Sequence, residues 1–364
     1  MCDMGLEIVV LVVVAAAAVV VYLLLRSGSQ KETAKTAAAA PVKNKAAPAV
    51  AAAAPAVASE YVTLKGKKPV VCLCAEGDVI VTGSTDHVLR VFRDHKSVAH
   101  LAVTGSPLYD FVAIAGAAVF AFEGFESAVH VFGLVPAKGE QPEHLRQVSK
   151  IVVAAPSKKD VVKSLSAARL AHGTLVGLLF QSGVVQLYDA RSGKMVHRVP
   201  GNEKIRTNGL ALLASSDSVM ALIATFDPAC SVLQCRHVGE GAWSVERAPQ
   251  LKAGHEELAD VQASGGGIAM RGKDGLCHVV TVAEQFTVTR WKGPIAATGK
   301  CKVSPCGKFV CVLGASKLEF FNKQLQCKAA ELPWTVSDVY WVGSGSVVVS
   351  VAGDARVYQF KNPF

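Results

Sequence analysis

An all-β fold is predicted from this sequence: a seven-bladed β-propeller, preceded by a single N-terminal transmembrane helix and a flexible tether. Three observations predict it. From Glu60 onward, short β-branched runs alternate with turn residues, the pattern of strands. These runs recur with a period near 40–45 residues, which suits four strands per unit. Upstream of them, Ile8 to Leu25 is an unbroken apolar run of 18 residues.

That run is the first element to justify. As a helix it spans about 27 Å, enough to cross a thin bilayer. Lipid offers no partner for backbone amides, so a helix is the one single segment that satisfies itself there. Asp3 and Glu7 precede the run, whereas Arg26, Lys31 and Lys35 follow it. Cytoplasmic flanks carry the Lys/Arg excess, so residues 1–7 are expected to be non-cytosolic and the C-terminal side cytosolic. A cleaved signal peptide would need a basic leader and a shorter apolar core. The modest length suits the endoplasmic reticulum, with the mitochondrial outer membrane as the alternative.

Residues 26–59 are a different material, mostly Ala with Lys, Pro and Val. Pro41, Pro48 and Pro55 recur every seven residues, so no long helix runs through. A loosely extended tether is expected, holding a cytosolic domain clear of the headgroups.

Residues 60–364 carry the repeat. Val79–Phe92 reads as strand, Asp turn, strand, and Leu179–Lys194 and Ile268–Val280 repeat the plan. Weaker copies end near 132, 233, 321 and 360. The seven strand ends, near 92, 132, 188, 233, 280, 321 and 360, are separated by 40, 56, 45, 47, 41 and 39 residues. The long gap holds 134–170, where an inserted loop is expected. Asp86, Asp189 and Asp274 are assigned structural turn roles, because short polar side chains stabilise tight turns through backbone hydrogen bonds. Gly254-His255 followed by Asp274 offers one full His–Asp pairing between neighbouring strands. After its third strand the last unit has only four residues, ending at Phe364, so its outer strand must come from elsewhere. Tyr61–Leu64 is strand-like and can supply it. Residues near 61–64 are therefore expected to pair with residues near 356–360.

The rest of the composition mostly excludes. Hydrophobic residues make up 51% and charged residues 18%, too apolar for a wholly disordered chain. The net charge of +9 is spread thinly, with no basic run longer than two after residue 59, so no specific nucleic-acid partner is expected. Ten cysteines show no C-x-x-C and no zinc-like spacing with His. Reduced, packed thiols are expected, consistent with the cytosol. Gly293–Lys300 has five residues between its glycines where a phosphate loop needs four, and Cys301 where it needs Ser or Thr. No H-E-x-x-H or G-x-S-x-G occurs. His87 and His130 lie on or beside strands and are read as structural. No catalytic residue, cofactor or metal is expected, and the protein is read as not an enzyme. Its binding surface would be the top or rim of the propeller, built from loops, with Arg93–Ser97, Pro136–Lys159 and Arg236–Gly241 as candidate segments.

These units resemble the WD40 superfamily. The usual Trp-Asp ending is replaced by Phe92-Arg93, Tyr188-Asp189 and Phe321-Asn322. The layout of anchor, basic tether and single propeller is similar to the transducin beta-like protein 2 family, as are Gln250–His255 and Val303–Val310. That resemblance implies a scaffold of the endoplasmic reticulum membrane. It further implies as partners the membrane's stress-sensing kinase, which phosphorylates the translation initiation factor, and the translation machinery. The second functional class is a guanine-nucleotide exchange factor for the small GTPase of vesicle-coat assembly. In that group the anchor follows the propeller, and the 134–170 insertion would have to supply the prying loop.

Overall fold

A computed structural model describes residues 61–364, apart from 103–108, 202–206, 226–228, 253–257, 273–276, 281–299, 352–355 and isolated positions of one or two residues. The expected anchor at 8–25 and tether at 26–59 lie outside the described residues, as do His255 and Asp274. Among the described residues no helix is long and apolar enough to cross a membrane.

The described chain is all-β, as its alternating Val-, Leu- and Ile-rich runs demand. Sheet 1 contains β2 (Val70–Glu76), β3 (Val79–Ser84), β4 (Val88–Arg93) and β5 (Lys96–Ala102). Sheet 2 contains β6 (Tyr109–Ala115), β7 (Ala118–Glu123), β8 (Ala128–Val135) and β9 (His144–Val152). Sheet 3 holds β10 (Val162–Arg169), β11 (Thr174–Phe180), β12 (Val185–Asp189) and β13 (Met195–Val199). Sheet 4 holds β14 (Thr207–Ala214), β15 (Ser218–Thr225), β16 (Ala229–Gly239) and β17 (Ala242–Lys252). Three strands are described for sheet 5: β18 (Leu258–Ser264), β19 (Gly267–Gly272) and β20 (Cys277–Val280). Sheet 6 follows with β21 (Lys300–Val303), β22 (Phe309–Leu313), β23 (Lys317–Asn322) and β24 (Cys327–Glu331). The last comprises β25 (Val336–Val342), β26 (Ser346–Val351) and β27 (Arg356–Lys361), with β1 (Tyr61–Lys65) added beside β27. The six four-stranded antiparallel sheets resemble propeller blades. The seven strand ends read from the sequence fall on the seven third strands.

The sheets meet in a closed order. The first strands β2, β6, β10, β14, β18, β21 and β25 touch in sequence, and β25 touches β2. Closure uses the expected early segment: Tyr61 lies opposite Phe360, and Leu64 opposite Val357. Leu64 packs among Leu73, Ile80 and Phe92 of sheet 1 and Val342, Val348 and Val357 of sheet 7. The segment thus completes one sheet and fills the seam with the next.

Apolar clusters lie between sheets. Val81 and Val91 of sheet 1 pack with Ile114 and Phe132 of sheet 2. Phe120 and Phe122 of sheet 2 meet Leu178 and Phe180 of sheet 3. Leu175 and Leu187 of sheet 3 meet Leu210 and Leu212 of sheet 4. Leu313 and Phe320 of sheet 6 meet Trp341 and Val349 of sheet 7. Each large side chain so buried contributes about 1.5–3 kcal/mol. Middle strands are covered on both faces, so β3 is buried along its whole length. The outer strand β9 buries Leu145 and Ile151 and exposes most of its other residues.

In the 134–170 stretch, where an inserted loop is expected, the end of β8, then β9 and β10, alternate with connections at 136–143 and 153–161. Its extra length goes into a long hairpin, with Val135 opposite His144 at one end and Ala128 opposite Val152 at the other. Its polar residues divide between the solvated face of β9 and the connections at 136–143 and 153–161.

Candidate functional site

Antiparallel sheets place alternate turns at opposite ends. Arg93–Ser97 and Arg236–Gly241 join a third strand to a fourth, and Pro136–Lys159 begins with such a connection. Arg93–Ser97 is a two-residue hairpin: Asp94 and His95 have φ of 47° and 66°, between the paired Arg93 and Lys96. Arg236–Gly241 is another hairpin connection, since β16 continues to Gly239, opposite Ala242. Pro136–Lys159 contains β9 itself, with Lys138 and Gln141 bridging in the connection before it.

At the other end, between second and third strands, stands Asp86. It accepts from the Val88 amide at 3.3 Å, and from the Arg90 guanidinium at 3.2 and 2.5 Å. Arg90 also donates to Ser84 Oγ at 3.2 Å. The Arg90 hydrogen bond beside Asp86 holds its carboxyl below the usual carboxylate range. A guanidinium of the same hairpin is thus the charged partner of Asp86.

Asp189 occupies a different corner. It ends β12, before the turn into β13, rather than sitting between second and third strands. It is buried, and accepts from the Ser192 amide at 2.7 Å, Ser192 Oγ at 2.8 Å and Trp243 Nε1 at 2.8 Å. Burial works to raise this carboxyl, but the Trp243 and Ser192 hydrogen bonds outweigh it and hold it low. Because Trp243 belongs to β17, this one carboxylate fastens sheet 3 to sheet 4. The sequence signal for that link was the Tyr188-Asp189 pair; its indole partner lies 54 residues away and carries no local mark.

Two histidines read as structural are also placed. His87 lies in the Asp86 turn with φ 61°. His130, on β8, sets its Nε2 2.8 Å from Glu123 Oε2. Cys72, Cys74, Cys235, Cys306, Cys311 and Cys327 form no disulfide. Burial pushes Cys72 and Cys235 up to about 12, and Cys74 and Cys311 well above the ordinary thiol value. Such thiols stay protonated and serve as packing.

Among the described residues, sheet 2 carries three of the exposed large apolar side chains. Phe125, in the β7–β8 turn, is 88% exposed, and Val148 and Val152 on β9 are 62% and 73% exposed. Turn and strand are tied together, since the Val153 amide donates to the Ser127 carbonyl at 2.8 Å. An edge strand flanked by exposed apolar groups can take a protein partner through side-chain burial or strand addition. No protein-family model matches the chain, and no curated protein matches it.

Proposed function

We propose that the protein is a membrane-anchored seven-bladed WD40-type scaffold that presents a protein-interaction surface to the cytosol. The observation that carries this reading is the closed cycle of repeated sheets, completed by β1 just downstream of the 8–25 apolar run. A closed repeat of this kind offers turns and edges as recognition surface while its sheets bury one another. The basic residues after the apolar run support a cytosolic propeller, and the run's length supports the endoplasmic reticulum. Partners engage the loop face or rim. By resemblance they are the stress-sensing kinase of that membrane and the translation machinery, which places the protein in stress signalling and translational control. The alternative is a guanine-nucleotide exchange factor for the small GTPase of vesicle-coat assembly, whose prying loop would have to come from the connections at 136–143 or 153–161 that flank β9.

Protease protection of intact vesicles, combined with proximity labelling from a tag at the C-terminus, tests this reading. The tag is expected to be cleaved without detergent, and labelling is expected to recover cytosolic translation and stress-signalling proteins. A tag protected until detergent is added overturns the orientation. Labelling confined to coat-assembly GTPases overturns the scaffold reading.

A further inference from the structure

The β7–β8 hairpin brings together three groups that the sequence did not mark as a unit. Glu123 ends β7, Glu126 sits in the turn, and His130 lies on β8, one pair further along the same face of the hairpin. One carboxylate oxygen from each Glu and one ring nitrogen of His130 all lie within 4.8 Å of one another. Three ligands around a common zinc at about 2.1 Å stand roughly 3.4 Å apart in tetrahedral geometry. Glu123 and His130 are already closer than that, at 2.8 Å. Glu126 is an exposed turn side chain, so it can supply the remaining movement without disturbing the strands.

A second observation points to a ligand. Glu123 is 1% exposed, yet its Oε1 has no hydrogen-bond partner among the described residues. The hydroxyl of Tyr109, whose ring stands edge-on to His130 with centroids 5.8 Å apart, is buried and equally without one. Leaving one oxygen of a buried carboxylate undonated is costly, and such orphans in native proteins commonly mark a bound water or ion. A proton shared between His130 and Glu123 satisfies Oε2 only. A cation bridging Glu123, Glu126 and His130 also engages the turn.

We propose that Glu123, Glu126 and His130 form a binding site for a divalent transition-metal ion, with Zn²⁺ the best match. One imidazole with two carboxylates is a borderline donor set, softer than the all-oxygen shells of Ca²⁺ and Mg²⁺. Three protein ligands leave a coordination position open, beside the exposed Phe125 and the β9 edge. Tyr109 lies on β6 opposite Glu123, with its ring edge-on to His130, so its aromatic face walls the site. Lys150, opposite His130 on β9, pairs with Glu126 and competes with the metal for it.

The site is independent of the scaffold reading and is tested by direct metal binding. The full-length chain, in detergent micelles with its thiols kept reduced, is titrated with Co²⁺ as a spectroscopic stand-in for Zn²⁺. One equivalent is expected to bind with a nitrogen–oxygen ligand spectrum free of thiolate charge-transfer bands, and Zn²⁺ is expected to displace it. Glu126→Gln, a surface change that leaves the fold intact, is expected to weaken binding about tenfold or more. Lys150→Gln is expected to strengthen it. Absence of binding, a thiolate spectrum, or a Glu126→Gln chain that binds Co²⁺ as tightly as the native one overturns the proposal.

Discussion

Leu64 is the side chain through which the early strand fills the seam between the last sheet and the first. It is 1% exposed and touches residues of both sheets. Leu64→Ala removes three carbon atoms from a site whose walls belong to two different sheets. Neither wall can relax inward without pulling on its own hydrogen-bonded strands, so the cavity persists. A buried Leu→Ala change costs about 2–5 kcal/mol, more where collapse is poor, and about 3–4 kcal/mol is expected here. With an unfolding entropy near 2.1 cal/mol/K per residue, a domain of roughly 300 residues loses about 5–6 °C in Tm. Val62 is on the same strand but is half-exposed, so Val62→Ala is expected to cost under about 1 kcal/mol. Urea unfolding followed by tryptophan fluorescence reads both variants. If Leu64→Ala shifts the midpoint no more than Val62→Ala does, β1 is a passive edge strand and the closure argument fails.

Three further outcomes are expected. A Cβ on Gly83 would stand 2.5 Å from Cys72 Sγ, so Gly83→Ala should cost about 1–3 kcal/mol. Cys72→Ala should recover part of that loss in a double-mutant cycle, and simple additivity would exclude the clash as its cause. Asp189 has a folded-state pKa below its unfolded value. Its contribution is therefore present above the ordinary Asp value of about 3.9 and is lost as pH falls through the lower folded value. Trp243→Phe should cost about 1.5–3 kcal/mol at neutral pH and flatten that acid dependence. Urea midpoints from pH 7 down to 3 check this, and a pH profile identical to the native one contradicts it. At the β4–β5 turn, both central residues hold positive φ, the type I′ geometry that favours Asn-Gly. The double change Asp94→Asn, His95→Gly should therefore stabilise by about 0.5–1 kcal/mol in the same urea assay, whereas a loss of stability would refute the turn assignment.

The repeat was legible because each unit writes its middle strands in buried, β-branched residues and punctuates them with short polar turns. Phe92, Phe132, Tyr188, Leu233, Val280, Phe321 and Phe360 all fall on third strands for that reason. The closing strand was legible by counting: the last unit lacked a fourth strand and Tyr61–Leu64 had no other sheet to join. The outer strands were harder to see. β9 alternates only weakly because one face is wet, so its polar residues read as a loop. Asp189 stands at the end of its unit's third strand, where the Tyr188-Asp189 pair puts it. The partners of Asp86 and Asp189 depend on register and on a neighbouring sheet. So does the meeting of Glu123, Glu126 and His130, whose spacing of three and four residues resembles a helical face until the hairpin folds it into one cluster.

The pairing of Tyr61–Lys65 with Arg356–Lys361 also sets a timetable for biosynthesis. β1 leaves the ribosome first among the strands described, yet its hydrogen-bonding partner β27 follows about 290 residues later. At about 5–20 residues per second, the early strand waits on the order of 15–60 s before its neighbour emerges. Throughout that interval Leu64 and an unpaired backbone edge stand open to other chains. A nascent-chain chaperone therefore has most to gain by binding β1, and chains cut short before β27 should aggregate through a segment made long before the cut.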